Sequence, residues 1–211
     1  MPDASEPPIV LASASPRRRE LLTRAGVRFE VVPSSVEERP LAGETPRALA
    51  LRLAREKVLD VARRFPASPR RIVLGADTIV VLEDSVLGKP ADRQEALTML
   101  RRLAGHTHRV LTAVAVVETD RLEPRALCVE STVVMRPASD AELRAYVATG
   151  ESLDKAGAYA AQGEGRRFVE RIDGSESNVI GLPIEETLAL LRAGETKQKA
   201  PPTTRPRKTL P

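Results

Sequence analysis

Continuous or alternating apolar runs punctuate the chain at Ile9–Ala12, Phe29–Val32, Ile72–Leu74, Thr78–Leu82, Val110–Val117, Ala126–Met135 and Phe168–Ile172, and predict strands. Between them, apolar residues recur every three or four positions over Pro16–Ala25, Pro46–Phe65, Asp92–Leu103, Asp140–Thr149 and Pro183–Arg192, which predicts helices. Start signals agree with this period. Ser13 and Ser15 precede Pro16, Thr45 precedes Pro46, and Ser139 with Glu142 has the pattern of a capping box. Gly26 stops the first helix after Ala25. Strands alternating with helices predict an α/β chain with a mixed sheet flanked by helices.

At 211 residues the chain suits one domain. The aromatic content is 2% with no Trp, so the core must be aliphatic, and the composition argues against stacking platforms for single-stranded nucleic acid. The formal net charge of +4 rests on Lys197, Lys199, Arg205, Arg207 and Lys208, and removing those five leaves −1. That segment also carries Pro201, Pro202, Pro206 and Pro211, so residues 195–211 are expected to form a disordered basic tail. Without it the body is near neutral, and no specific nucleic-acid partner is expected. Residues 1–8 contain three prolines and two acids, as a flexible terminus does and a signal peptide does not. No window is apolar enough for a membrane span, so no membrane partner is expected. Cys128, the single cysteine, excludes an internal disulfide and suits a cytoplasmic protein with an inert strand thiol.

Charge placement changes the picture in one segment. Arg17, Arg18 and Arg19 stand at a helix start, where the free N–H groups and the partial positive charge favour an anion. Either the segment is a solvated basic turn, or it holds a phosphate chain with Ser13, Ser15 and a guanidinium fork. Lys57 lies inside an apolar helix face between Leu53 and Val61, which leaves a snorkelling ammonium or one that meets an anion. Asp77 separates two apolar runs, as a turn former or as a carboxylate at a strand end that orients water or binds a divalent ion. Gly75 and Ala76 before it leave room for a ligand, and Glu37 and Glu38 offer further metal ligands. Lys89 sits in a tight Gly88-Lys89-Pro90 turn. Residues 154–165 combine three glycines with Gln162, whose amide suits reading a base edge, although a flexible surface loop explains the same composition. His106 and His108, lacking a third nitrogen or thiolate partner nearby, read as turn residues and not as a zinc site.

Several ordered motifs together carry a resemblance. They are Ser13-Ala14-Ser15-Pro16-Arg17-Arg18, Glu37-Glu38, Leu53-Ala54-Arg55-Glu56-Lys57, Gly75-Ala76-Asp77-Thr78, Gly88-Lys89-Pro90, Lys155-Ala156-Gly157-Ala158-Tyr159 and Asn178-Val179-Ile180-Gly181-Leu182-Pro183. Over Ile9–Arg192 the chain resembles the Maf family of nucleoside triphosphate pyrophosphatases. The resemblance implies one two-lobed domain over residues 9–194 with the site in the cleft, a nucleoside triphosphate substrate, a divalent cation such as Mg²⁺ or Mn²⁺, and a homodimer. It further implies Asp77 as the catalytic base, Glu38 with Asp77 on the metal, and Arg18, Lys57 and Lys89 on phosphate oxygens. Arg17, Thr78 and Gln162 become the positions that set substrate choice. The form Lys-Ala-Gly-Ala-Tyr followed by Gln162 resembles the branch acting on dTTP and UTP, not the one acting on 7-methyl-GTP. Glu176 departs from the family pattern, standing where an aromatic residue is expected, and so removes an expected stacking or packing contact near the site.

Overall fold

The computed structural model describes residues 7–196; of the segments expected to be unstructured, 1–6 and 197–211 lie outside the described residues, whereas 195 and 196 continue the last helix and correct that boundary. In chain order the elements are β1 Ile9–Leu11, α1 Pro16–Arg24, β2 Phe29–Val31, α2 Pro46–Ala62, β3 Ile72–Leu82, β4 Ser85–Leu87, α3 Arg93–Leu103, β5 Thr107–Glu118, β6 Arg125–Met135, α4 Asp140–Ala148, β7 Val169–Asp173, α5 Glu176–Ile180 and α6 Ile184–Thr196. The strands form one mixed sheet in the order β2-β1-β3-β5-β6-β7, with β4 paired to the far end of β3. β1 runs parallel to β2 and β3, and the remaining pairs are antiparallel.

Period-two alternation distributes β3 over separate cores. Val73, Ile79 and Val81 face α2, whose buried stripe includes Leu49, Leu53, Val58 and Val61. Leu74 and Ala76 face the opposite layer, with Leu21 and Leu22 of α1 and Leu191 of α6. Farther along, Val80 and Leu82 enter a second lobe with Leu97 and Leu100 of α3, Leu143 and Tyr146 of α4, and Phe168. The long strands β3 and β5 therefore run through both lobes.

Three expectations change. The two strand runs flanking Asp77 are one strand of 11 residues, so Asp77 is neither a turn former nor at a strand end. The strand tolerates it because the carboxylate finds a buried cationic partner. His108 is not a turn residue: it lies in β5, is 1% exposed, and its Nε2 lies 2.7 Å from the Tyr159 hydroxyl. Gly75 does not make room for a ligand. A Cβ there would lie 2.8 Å from Val58 Cγ1, so the glycine permits close approach of α2 to the sheet.

Candidate active site

The edge of β3 is covered only in part. β1 pairs with Val73 and Leu74, and β4 pairs with Val80, Val81 and Leu82. No strand among the described residues pairs with residues 75–79 on that side. A cavity of about 370 Å³ occupies this gap between the lobes. Ten of the candidate residues from the sequence line it: Ser13, Ser15, Arg17, Arg18, Glu38, Lys57, Asp77, Thr78, Lys89 and Gln162. Glu37 does not; it pairs with Arg39 at 2.5 Å.

Ser13 and Ser15 follow β1, where the chain turns into α1. The Ser15 N–H bonds Ser13 Oγ at 3.2 Å, Ser15 makes no side-chain cap, and the first turn of α1 has no acidic residue. Its partial positive charge is thus reinforced by arginine and met by no carboxylate of its own turn. Arg18 is tightly placed: its Nε donates to the Gly181 carbonyl at 2.9 Å, Nη1 to Ser13 Oγ at 3.1 Å and Nη2 to Thr78 Oγ1 at 3.1 Å. A guanidinium has five N–H donors, so two stay available to a ligand.

Lys57 does not snorkel. It is 5% exposed, and its ammonium donates to Glu38 Oε1 at 2.5 Å and to Asp77 Oδ1 at 2.6 Å. Lys89 holds the other Glu38 oxygen at 3.0 Å. The two carboxylates share one ammonium and yet differ in acidity. Burial pushes Asp77 above the usual carboxylate range, against the pull of Lys57 and Arg18. Burial also opposes ionisation of Glu38, whose side chain keeps 42% of its exposure, but Lys57 and Lys89 outweigh it and hold the carboxyl at about 2. Asp77 is the better proton acceptor and Glu38 the more permanent anion.

Because both carboxylates converge on one cationic point, the donor set fits a small hard divalent ion. No group of three or more His, Cys, Asp or Glu suited to a metal occurs among the described residues, so the remaining ligands would be substrate oxygens and water, as is usual for Mg²⁺.

Two ion pairs join the lobes across the cavity, Lys89 to Glu38 and Arg17 Nη1 to Asp154 Oδ2 at 3.2 Å. Asp154 thus also lines the cavity, and in the sequence nothing marks it, since it stands in a segment without apolar periodicity. Residues 154–165 are not a flexible surface loop: Lys155, Gly157, Ala158, Tyr159, Ala160 and Ala161 are buried, and Gly157 packs against Val80 at φ +69°. Gln162 stands half-buried where the cavity meets a shallow outer depression formed with Glu20, Arg24, Arg166 and Glu176. Glu176 does not line the cavity; it begins α5, where a carboxylate suits the helix N-terminus.

Comparison with known proteins finds relatives over most of the chain. The family described as Maf-like protein matches residues 8–194. A protein of Geobacter sulfurreducens named dTTP/UTP pyrophosphatase is 50% identical over 184 residues, covering 87% of this chain and 95% of the relative. One of Anaeromyxobacter dehalogenans with the same name is 53% identical over 192 residues, covering 88% and 93%. Another, of Burkholderia pseudomallei, is 50% identical over 201 residues, covering 90% and 94%.

Proposed function

The chain belongs to the Maf family, and on that premise we propose that it is a nucleoside triphosphate pyrophosphatase converting dTTP and UTP to the monophosphate and pyrophosphate. The observation that carries this reading is a buried carboxylate, Asp77, held by the buried Lys57 ammonium at 2.6 Å in a cavity that Arg17, Arg18 and Lys89 also line, cations enough in number for a triphosphate.

In this reading Asp77 takes the proton of a water whose oxygen attacks the α-phosphorus. The bond from that phosphorus to the α,β-bridging oxygen breaks, and pyrophosphate leaves with the electron pair. Ser13, Ser15, Arg18, Lys57 and Lys89 bind phosphate oxygens and offset the charge that builds on the leaving group. Glu38 and Asp77 would hold the divalent cation, Mg²⁺ or Mn²⁺. When bound, that ion supplies Lewis-acid neutralisation of the phosphates. Arg17, Thr78 and Gln162 set the choice of nucleotide. Lys57 has a dual part, since it orients Asp77 before substrate binds and keeps a third N–H for phosphate.

Among the described residues no helix is long and apolar enough to cross a membrane. The cytoplasm, where nucleoside triphosphates are made, and a homodimer complete the reading. The deciding experiment is pyrophosphate release from dTTP, UTP, CTP, GTP and 7-methyl-GTP, with Mg²⁺, with Mn²⁺ and with EDTA. Metal-dependent release favouring dTTP and UTP is expected. Preference for 7-methyl-GTP would overturn the substrate assignment, and no release from any nucleotide would overturn the reaction.

A further inference from the structure

Thr78 of β3 and Thr112 of β5 are directly opposite in the ladder, with their hydroxyl oxygens 3.0 Å apart. Thr112 is fully buried and does not line the cavity, whereas Thr78 is half-buried and does. A hydroxyl has one proton to give. Thr112 gives its proton to the Asn178 carbonyl at 2.9 Å, which leaves only lone pairs for Thr78. The proton of Thr78 then goes to Thr112; the other acceptor near it, the Gly181 carbonyl, is 3.5 Å away and already takes Arg18 Nε at 2.9 Å. With Thr112 as its near acceptor, the Thr78 proton is held inside the protein, and the long contact to Gly181 is too weak to hold it in place of Thr112. One lone pair of Thr78 accepts from Arg18 Nη2, and the other is left for the cavity.

The relay is anchored behind Thr112. Asn178 is fully buried, and its amide donates to the Val110 carbonyl at 3.0 Å and to Ser131 Oγ at 2.9 Å, tying α5 to β5 and β6. Since the Val110 carbonyl can only accept, the orientation of that amide is settled by its partner.

We infer that Thr112 is a positioning residue that holds the Thr78 hydroxyl as an acceptor toward the cavity, and that this fixed polarity selects a pyrimidine with an imide N3–H over cytosine. Ionised phosphate oxygens are acceptors only, so the Thr78 oxygen offers them no bond, and they are left to the remaining N–H groups of Arg18 and to the lysines. Sugar hydroxyls and water donate or accept as required, and a fixed acceptor cannot discriminate among them. Uracil and thymine share a donor at N3, while cytosine presents a lone pair there. An acceptor facing an acceptor leaves both unpaired, the kind of mismatch from which a hydrogen-bonding site obtains its strongest discrimination.

This deepens the pyrophosphatase reading and rests on it for its choice of ligand. The test compares wild type, Thr112→Val and Thr112→Ser, using kcat/KM for UTP and CTP and, without turnover, Kd for UMP and CMP. Thr112→Val keeps the side-chain shape, and the Asn178 carbonyl retains the Gly181 N–H at 3.0 Å, so the fold is expected to survive. The uridine-over-cytidine ratio should fall about tenfold in Thr112→Val, the scale of one hydrogen bond, while Thr112→Ser keeps the wild-type ratio. An unchanged ratio in a folded Thr112→Val, a ratio lost equally in Thr112→Ser, or equal binding of UMP and CMP by wild type overturns the inference. Wild type that binds UMP over CMP but hydrolyses no triphosphate would instead sink the pyrophosphatase reading and leave the assignment of Thr112 standing.

Discussion

An ammonium 2.5 Å from one carboxylate and 2.6 Å from another is the centre of the site, and its partners explain why a lysine is tolerated in the apolar stripe of α2. Removing the proposed base should spare the fold and stop the chemistry: Asp77→Asn is expected to lower kcat by roughly a hundredfold to ten-thousandfold, measured as pyrophosphate release, with circular dichroism unchanged. Lys57→Met instead leaves the buried Asp77 without its main partner, so its carboxyl either stays charged and unpaired or takes up a proton and is lost as a base. Stability should drop by about 3 kcal/mol in urea titrations, and kcat/KM should fall with it. Half of this pair is legible in the sequence, because the 3.6-residue period marks position 57 as buried. The partner is not, since Asp77 is 20 residues away and meets Lys57 only through the packing of α2 on β3.

At the level of elements, helix starts are legible where a side chain caps them. Thr45 caps α2 by accepting from the Ala48 N–H at 3.3 Å, and Ser139 with Glu142 forms the reciprocal box at the start of α4. Ser139→Ala should cost about 1 kcal/mol and lower Tm by roughly 2–4 °C in calorimetry, without altering kcat. Two short elements escape the reading for a physical reason. β4 begins on a serine and α5 on three polar residues, so neither shows the apolar or alternating run that marks the equally short β1 and β2. β3 was hidden differently: an aspartate has low strand propensity, and only its tertiary ion pair makes an unbroken strand favourable there. The site nevertheless depends on these elements, because β4 bounds the uncovered stretch of β3 and α5 supplies the carbonyl that fixes Thr112.

For the molecule as a whole, stability should depend on pH through groups that the fold prevents from titrating normally. Burial holds His108 at about 4, below its ordinary 6.5, so an unfolded chain takes up a proton there before the folded one does. Stability is therefore expected to fall as pH drops from about 6.5 to about 4, by up to about 3 kcal/mol from this residue. Glu38 extends the loss at lower pH: its ion pairs stabilise the fold above the ordinary value of 4.5, and this contribution disappears as pH falls toward 2. Chemical denaturation at stepped pH checks the first interval, where His108→Gln should flatten the decline. A steep decline in that variant would assign the effect elsewhere. The two-lobed arrangement itself is less legible than the class, because period-two runs say that β3 and β5 exist but not that each is long enough to serve two cores.

The sheet ends on both sides in strands unsuited to recruiting another. β2 has three residues, and its Glu30 side chain is engaged by Arg71 at 2.7 Å; β7 has five and carries Glu170, Arg171 and Asp173 along its length. Such borders place charge beside any incoming backbone and offer it few ladder bonds. Self-association by strand addition, including the runaway form that leads to fibrils, is thus opposed at both margins. A second copy of this chain would more favourably dock through helices or loops, and the uncovered stretch of β3 is an interior edge that faces the cavity and not a neighbouring strand.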